Sequence, residues 1–257
     1  MQEITGLRPG VALFEVPGRG NALRTASGRL VGVDLPGSAV AALDAWFADP
    51  GGARPDGLDG EIAAFAAAGH LRSTGPAPTV RVAVLGTGPL ADAVAAVLAG
   101  PGTVPAPVSG ADAVCAVGDG PAPEAWTAHD DLPGRGVAWF RLSVEGRHGI
   151  IEPPAVVPGD AGHADVRARR LAAAGSAHPH LAAYWAATAG QAGAGERELL
   201  AALLAADVRA WARGDTHPAA GDLVPAALPA RRRLRVVDLD TGAIADHPLL
   251  PVPEQAP

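Results

Sequence analysis

Short segments of alternating apolar and polar residues open the chain, and apolar residues at helical spacing follow them. Pro-Gly and Ser-Gly turns separate the alternating segments. Ser38 is positioned as the N-cap of the first helix, and Gly69 follows the second helix as a C′ residue. The predicted strands are 11–16, 21–25 and 29–35, and the predicted helices are 38–47 and 56–68.

Three strands followed by helices are the pattern of a winged helix, which either reads DNA or accepts a peptide as an added strand. Residues 1–72 carry six arginines against eight acidic residues. The second helix, where a DNA-recognition helix would lie, contains Asp56, Asp59 and Glu61 and no basic residue. DNA phosphates require the opposite charge, so the pattern disfavours a transcription regulator and favours peptide binding.

The strand and helix over 79–99 organise the rest of the chain. An apolar strand at 80–85 runs into Gly86-Thr87-Gly88, and an alanine-rich helix follows at once. A Rossmann-type unit opens in this way, here with Ala91 in place of the third glycine, so we expect an α/β fold. The other predicted strands are 104–108 at an edge, 111–117, 137–144 with a hairpin return at 147–157, and a terminal hairpin of 233–239 and 243–247. The other predicted helices are 124–131, 164–174, 179–189 and 196–213.

The glycine turn lacks the partners that a nucleotide needs. All 20 basic side chains are arginines, so no lysine is present to contact a phosphate. Pro89 removes an N–H donor at the helix start, and no Asp or Glu lies between Asp92 and Asp112 to hold a ribose. We therefore expect no cofactor. The turn is interpreted as a remnant comprising Gly86, Gly88 and Ala91.

Other polar or reactive residues have ordinary structural explanations. Cys115, the single cysteine, lies among apolar neighbours and is interpreted as a small buried hydrophobe rather than a thioester nucleophile. His178 and His180 have no third ligand nearby and are interpreted as surface residues at a helix start. The pair Asp130-Asp131 is interpreted as solvated. The run 231–235 is either an ordinary charged edge or a contact for an acidic partner or peptide.

Composition limits the remaining possibilities. The formal net charge of −7 argues against nonspecific nucleic-acid binding. No apolar run approaches the roughly 20 residues of a membrane span, and the N-terminus lacks a signal-peptide pattern. We therefore expect a cytoplasmic protein without membrane contact. Two domains are predicted, 1–72 and 79–257, with a linker at 73–78.

Several segments, taken in their order, are similar to those of a known family. GLRPGVALFEVPG, GRLVGVDLPGSAVAALDAWF and AAFAAAGHLR match a peptide-recognition winged helix, and VAVLGTGPLADAVAAVLA and ADAVCAVGD match a Rossmann half. GRHGIIEPPAVVPGDAGHADVRARR and RLRVVDLDTGAIADHPLLPV match the segments that follow. The chain thereby resembles the ThiF-like (ubiquitin-activating-enzyme-like) proteins of ribosomal peptide natural-product clusters. The resemblance implies an α/β fold: an N-terminal winged-helix peptide-recognition domain, then a degenerate Rossmann-like ThiF-type domain with a C-terminal β-hairpin.

The structural zinc of that family is not expected here. Where the family has its first cysteine pair, this chain has His163 and Val166. Where the family has its second pair, this chain has Leu249 and Pro251. One cysteine cannot rebuild a four-sulfur site, so no metal is predicted.

The resemblance implies a noncatalytic RiPP recognition element, the leader-peptide-binding partner of a YcaO-type cyclodehydratase in azoline and thiopeptide antibiotic biosynthesis. It also implies a possible homodimer. The alternative is a nucleotide-dependent Rossmann enzyme that adenylates a small substrate or uses NAD(P).

The leader peptide is expected to add as a strand along 29–34, beside the second helix. Arg24 and Arg29 are expected to pair with acidic side chains of the leader. The residues predicted to line the groove between strand and helix are Leu30, Gly32, Ile62 and Ala66. The full predicted peptide-binding set is Arg24, Arg29, Leu30, Val31, Gly32, Val33, Asp34, Asp59, Ile62 and Ala66.

Overall fold

The computed structural model divides the chain into two compact units. The first contains the described residues up to 74, and the second contains those from 79 onward. No helix among the described residues is long and apolar enough to cross a membrane. The described residues are 3–49, 51–74, 79–188, 197–214 and 228–252.

The first unit consists of a three-stranded sheet, a separate strand pair and two helices. Its elements are β1 (Glu3–Leu7), β2 (Ala12–Val16), β3 (Gly20–Arg24), β4 (Leu30–Val33), α1 (Gly37–Ala48), α2 (Asp59–Ala67) and β5 (Leu71–Thr74). β2, β3 and β4 form an antiparallel sheet in that order, and β1 pairs antiparallel with β5. Sequence patterns predicted β2, β3, β4 and both helices but missed β1 and β5, because those two short strands pair with each other from opposite ends of the unit. β5 includes the first two residues of the predicted linker, and 75–78 lie outside the described residues.

One face of the three-stranded sheet carries the core of the first unit. Leu13, Leu23 and Val31 lie directly opposite one another in the register, so their side chains share a face. Leu13 and Leu23 pack in one buried cluster with Ile62 and Phe65 of α2. This face is called the inner face below, and the opposite one the outer face.

The helix ends of the first unit follow local chemistry. α1 begins after Pro36, which is its N-cap and makes no side-chain capping bond, so the prediction of Ser38 as the cap was wrong. The fixed φ of proline suits the start of a helix, so α1 begins at Gly37, before the predicted cap at Ser38. Gly69 follows α2 at φ +70°, and its N–H donates to Ala66 O at 3.0 Å. The predicted C′ glycine is therefore confirmed.

The second unit contains a seven-stranded mixed sheet in the order β12-β11-β10-β9-β8-β6-β7. Its strands are β6 (Val80–Leu85), β7 (Thr103–Pro105), β8 (Ala113–Val117), β9 (Ala138–Glu145), β10 (His148–Ile151), β11 (Arg233–Asp238) and β12 (Ile244–Pro248), and its helices are α3 (Pro89–Leu98), α4 (His163–Ala173), α5 (His178–Ala187) and α6 (Arg197–Ala212). β7, β6, β8 and β9 are parallel, and the strands from β9 to β12 are antiparallel. The predicted α/β class and terminal hairpin are thus present.

β8 is buried on both faces of that sheet. Cys115 belongs to a cluster with Leu90 of α3 and Leu204 of α6, whereas Val114 belongs to a cluster with Trp126 on the other side. A parallel strand that is buried on both faces needs apolar side chains at successive positions, and residues 113–117 have that pattern in the sequence. β6 and β8 are parallel neighbours, so their carboxyl ends lie at the same edge of the sheet.

Two predicted helices of this unit differ from the observed elements. The helix predicted over 124–131 is a 3-10 segment, Glu124–His129, followed by another at Leu132–Arg135. Pro133 lacks an N–H donor and restricts the backbone of Leu132, so a regular α-helix cannot continue through this segment. The helix predicted over 179–189 ends earlier, at Ala187, with Thr188 as its C-cap. The start of the helix predicted over 196–213 lies outside the described residues and is not tested.

Candidate functional site

β4 is a free strand edge with exposed apolar side chains. It is the last strand in the order β2-β3-β4, and no other strand pairs with it among the described residues. Leu30 is 65% exposed and Val31 is 40% exposed. An edge strand presents unpaired N–H and C=O groups to solvent, and these groups can pair with an extended chain.

The register places the predicted peptide-binding residues on two different faces. Gly32 lies opposite Ala22, and Leu30 lies opposite Arg24, so both point to the outer face. Val31 and Val33 alternate with them and point to the inner face. Ile62 is 1% exposed within the inner core. The structure therefore does not bring Leu30 and Gly32 into one groove with Ile62, because side chains alternate along a strand.

The charged members of the predicted set lie around this edge. Arg24 donates through Nη1 to Gly10 O at 2.6 Å, and Arg29 and Asp34 are exposed at opposite ends of β4. Asp59 forms an exposed ion pair with Arg54 at 2.9 Å. Ala66, the remaining residue of the set, is exposed on α2.

The glycine turn between β6 and α3 is closed by a carboxylate of the chain itself. Asp119 follows β8, and its Oδ1 accepts a hydrogen bond from the N–H of Leu90 at 3.3 Å. Nε of Arg197 lies 3.4 Å from the same oxygen. Gly88 has φ +104°, and a Cβ there would collide with the Asp119 carboxylate. A Cβ at Gly86 would likewise collide with the carbonyl of Val117.

This arrangement does not fit the nucleotide phosphate that a Rossmann turn can hold. Phosphate binding needs free N–H groups at the helix N-terminus, whereas Leu90 donates to Asp119 and Pro89 has no N–H. A carboxylate in this place also repels a phosphate. Sequence reasoning missed Asp119, although an acidic residue two positions beyond a buried parallel strand was a signal in its favour.

Two of the four positions that align with zinc-ligating cysteines of the resembled proteins pack in an apolar cluster. Val166 and Leu249 are both buried in the cluster that contains Leu234. Arg169 of α4 donates to the carbonyls of Leu250 and Pro251, at 3.2 and 2.9 Å. No group of three or more His, Cys, Asp or Glu suited to a metal occurs in the described part of the chain. These side chains do not fit zinc, which needs nitrogen, sulfur or carboxylate ligands.

His163 instead joins a buried charged network. Its Nδ1 lies 2.9 Å from Oε1 of Glu152, and Nε of Arg141 donates to Oε2 of the same carboxylate at 2.6 Å. Burial raises the pKa of Glu152, but the His163 hydrogen bond and the Arg141 charge outweigh it and hold that pKa below its ordinary value. Arg141 also donates to the carbonyls of Pro153 and Ala161. The network ties β9 to the start of α4.

The structure also shows the surroundings of Cys115, of the two histidines of α5 and of Asp130. Burial raises the pKa of the Cys115 thiol to about 12, which accords with a buried hydrophobe and not with a nucleophile. His178 and His180 are exposed at the start of α5, as predicted. The prediction of a solvated Asp130 was wrong: its carboxylate accepts the N–H groups of His163 and Ala164, at 2.7 and 2.9 Å, and so caps α4.

Three of the four arginines in the run before the terminal hairpin are paired within their own unit. Each paired member has an aspartate partner, and these pairs are Arg231 with Asp160, Arg233 with Asp207, and Arg235 with Asp246. Burial raises the pKa of Asp207 despite the adjacent Arg233 charge. Of the two interpretations left open, the pairing favours an ordinary charged edge.

No family model matches the chain, and no curated protein sequence matches it. Solved structures match it in fold at low identity. A heterocyclase in complex with substrate and cofactor matches with TM-score 0.63 and 13% identity over 95% of this chain and 38% of that chain. The heterocyclase TruD matches with TM-score 0.61 and 14% identity over 98% and 42%. MccB from E. coli matches with TM-score 0.56 and 10% identity over 96% and 95%.

This chain therefore spans less than half of the two heterocyclase chains and nearly all of MccB. At these identities the likeness concerns the fold. The mixed α/β architecture with its seven-stranded sheet is one that heterocyclases and a microcin biosynthetic enzyme also adopt.

Proposed function

We propose that the chain is a noncatalytic scaffold that binds the leader of a ribosomally made precursor peptide and delivers it to a YcaO-type cyclodehydratase that forms azolines. The free, apolar edge of β4 is the observation that carries the proposal. An extended peptide gains main-chain hydrogen bonds along such an edge, and its side chains then contact the faces of the sheet.

The two units have separate parts in this proposal. Residues 1–72 act as a winged-helix peptide-recognition domain, and 79–257 act as a degenerate ThiF-like domain that docks on the cyclodehydratase or pairs as a homodimer. The heterocyclases of similar fold support a place in azoline-forming machinery. The charge of the first unit, six arginines against eight acids, supports a peptide over DNA.

The scaffold acts through effective concentration. A leader held on β4 keeps the downstream core peptide near the partner's active site, so the encounter becomes intramolecular. The partner removes one water for each ring formed at cysteine, serine or threonine. The scaffold contributes binding and positioning and takes no part in that bond chemistry.

The glycine turn between β6 and α3, where Asp119 lies, supports the noncatalytic part of the proposal. An adenylating enzyme must stabilise the charge of its nucleotide phosphates, whereas this chain has no lysine and places Asp119 at the start of α3. The enzyme alternative instead requires a free N–H at the start of α3, where Leu90 already donates to Asp119.

Binding to displayed peptides tests the site. Short random peptides displayed on their encoding mRNA are selected against the full chain, and the enriched peptides are then titrated onto Val31→Asp. An added strand would bury the new carboxylate at this edge, and that desolvation cost opposes pairing, so binding should weaken at least about tenfold. Val104→Asp is the matched control, since Val104 is also 40% exposed on an edge strand, β7. Equal loss in both variants, or no enriched peptide, would contradict peptide capture at β4.

Reconstitution tests the partner. We expect genes for a YcaO-type cyclodehydratase and a short precursor peptide beside the gene for this chain. Combined with ATP, the three products should yield a precursor that has lost one water per ring, measured by mass spectrometry. Val31→Asp should slow this reaction, and Val104→Asp should not. Ring formation at the same rate without this chain would argue against the scaffold.

A further inference from the structure

Gly32 occupies the middle of β4 without a reason inside the fold. Its φ lies outside the left-handed region that favours glycine, and a Cβ built there meets no atom within 4 Å. The register from Leu30 to Val33 is regular, so no bulge requires it. Glycine inside a strand lowers stability, and its remaining common explanation is close approach of a ligand or another backbone.

The row of residues across the outer face forms a trough that opens at Gly32. Phe14 lies opposite Ala22, and Ala22 lies opposite Gly32, so side-chain size decreases from β2 to the free edge. Phe14 is 36% exposed and bounds the far end, and Leu30 in the next row bounds one side. The Gly32 backbone forms the open floor, and Ala22 behind it is buried, at 8% exposure. The trough is apolar and leads to the edge where a peptide strand would add.

Strand geometry sets the size of the side chain that fits this trough. Neighbouring strands lie about 4.8 Å apart, so a residue paired with Gly32 on an added strand is about 10 Å from the Ala22 backbone. At that distance a leucine, methionine or aromatic side chain covers the bare Gly32 backbone and lies within reach of the exposed Leu30 side chain in the next row, on the side that faces Phe14. A small side chain would leave the trough open to water.

The charged residues at the two ends of β4 also restrict which peptide can pair with this strand. Arg29 is exposed immediately before β4, and Asp34 is exposed immediately after it. Opposite charges across a strand pair stabilise pairing and like charges oppose it, so acidic side chains of the ligand belong at the Arg29 end.

We propose that the outer-face trough of Phe14, Ala22 and Gly32 is a specificity pocket for a large apolar residue of an extended peptide, with acidic residues of that peptide toward Arg29. This inference rests on the proposed peptide capture at β4. It places the discriminating contact on the face away from α2, so the peptide would be recognised from both faces of its strand.

Peptides enriched on the full chain test the pocket. Gly32→Val fills the trough with a residue that favours strands and should weaken binding at least about tenfold, while thermal stability stays equal or rises. Phe14→Ala should also weaken binding. Ala12→Val is the matched control, because Ala12 is an exposed outer-face residue on β2, at the opposite edge of the sheet from β4. The control should bind within about twofold of the wild type.

A size exchange distinguishes the pocket from a general loss of binding. Each position of an enriched peptide is replaced in turn by alanine, and one large apolar position should lose affinity for the wild type. That same alanine peptide should bind Gly32→Val as well as it binds the wild type, because the new valine fills the space that the ligand vacates. Peptides that bind Gly32→Val unchanged but fail on Val31→Asp overturn the pocket and leave peptide capture intact. Peptides that are insensitive to Val31→Asp overturn both.

Discussion

Asp119 caps Leu90. The carboxylate after β8 accepts the N–H of Leu90 at 3.3 Å, in the place where the first turn of α3 would meet a phosphate. β6 and β8 are parallel neighbours, so the loops at their carboxyl ends come together, and the glycine turn leaves space for the Asp119 side chain. The helix N-terminus is thereby stabilised by an internal anion instead of a bound one.

Removal of this carboxylate should destabilise the second unit without creating an ATP site. Asp119→Ala loses the helix cap and the Arg197 contact, and we expect unfolding free energy to fall by about 1–2 kcal/mol in urea titrations. Asp92→Ala, which removes an exposed acid of the same helix, should cost less than about 0.5 kcal/mol. Calorimetry should detect no Mg-ATP binding to the wild type. A wild-type chain that binds Mg-ATP at cellular concentrations would favour the enzyme alternative.

The Glu152 carboxylate should make stability fall in acid. Its pKa is lowered in the folded state, so its contribution to stability is present above the unfolded pKa of about 4.3 and is lost as pH falls through the lower folded pKa. Glu152→Gln leaves Arg141 buried without a counter-charge and should cost about 3–5 kcal/mol at neutral pH. Urea titrations across the acidic range would measure both effects. Glu198→Gln, at an exposed site, should leave the profile unchanged, and equal profiles for the two variants would refute the assignment.

Cys115 should resist thiol reagents in the native protein. A pKa of about 12 lowers the thiolate fraction at pH 8 by about a thousandfold relative to a free thiol, and burial adds a steric barrier. Labelling by an aromatic disulfide reagent should therefore become fast only in denaturant. Stoichiometric labelling of the folded chain within seconds would instead indicate an accessible, reactive cysteine.

Metal chelation should leave stability unchanged, because apolar packing of Val166 and Leu249 occupies the positions of the family's zinc ligands. The melting temperature should be the same with and without a strong chelator. Arg169→Ala should instead cost about 1 kcal/mol, since two hydrogen bonds to the C-terminal segment are lost. Arg135→Ala removes only an exposed pair with Asp131 and should have a smaller effect. A lower melting temperature with chelator would reveal a metal site.

The sequence by itself determined the local elements and the absences. Alternation and helical spacing predicted β2, β3 and β4, both helices of the first unit, and the strand and helix around Gly86, because these depend on neighbouring residues. The counts of lysine and cysteine excluded the usual phosphate and zinc ligands.

Only the tertiary structure decided which residues meet. β1 pairs with β5, Asp119 closes the glycine turn, and Asp130 caps α4, each through contacts between segments far apart in the chain. The same holds at β4, where the sequence identified the strand but the register separated Gly32 from Ile62 and aligned it with Phe14. Spacing along one strand indicates that successive side chains alternate, but the face that is buried depends on what packs against it.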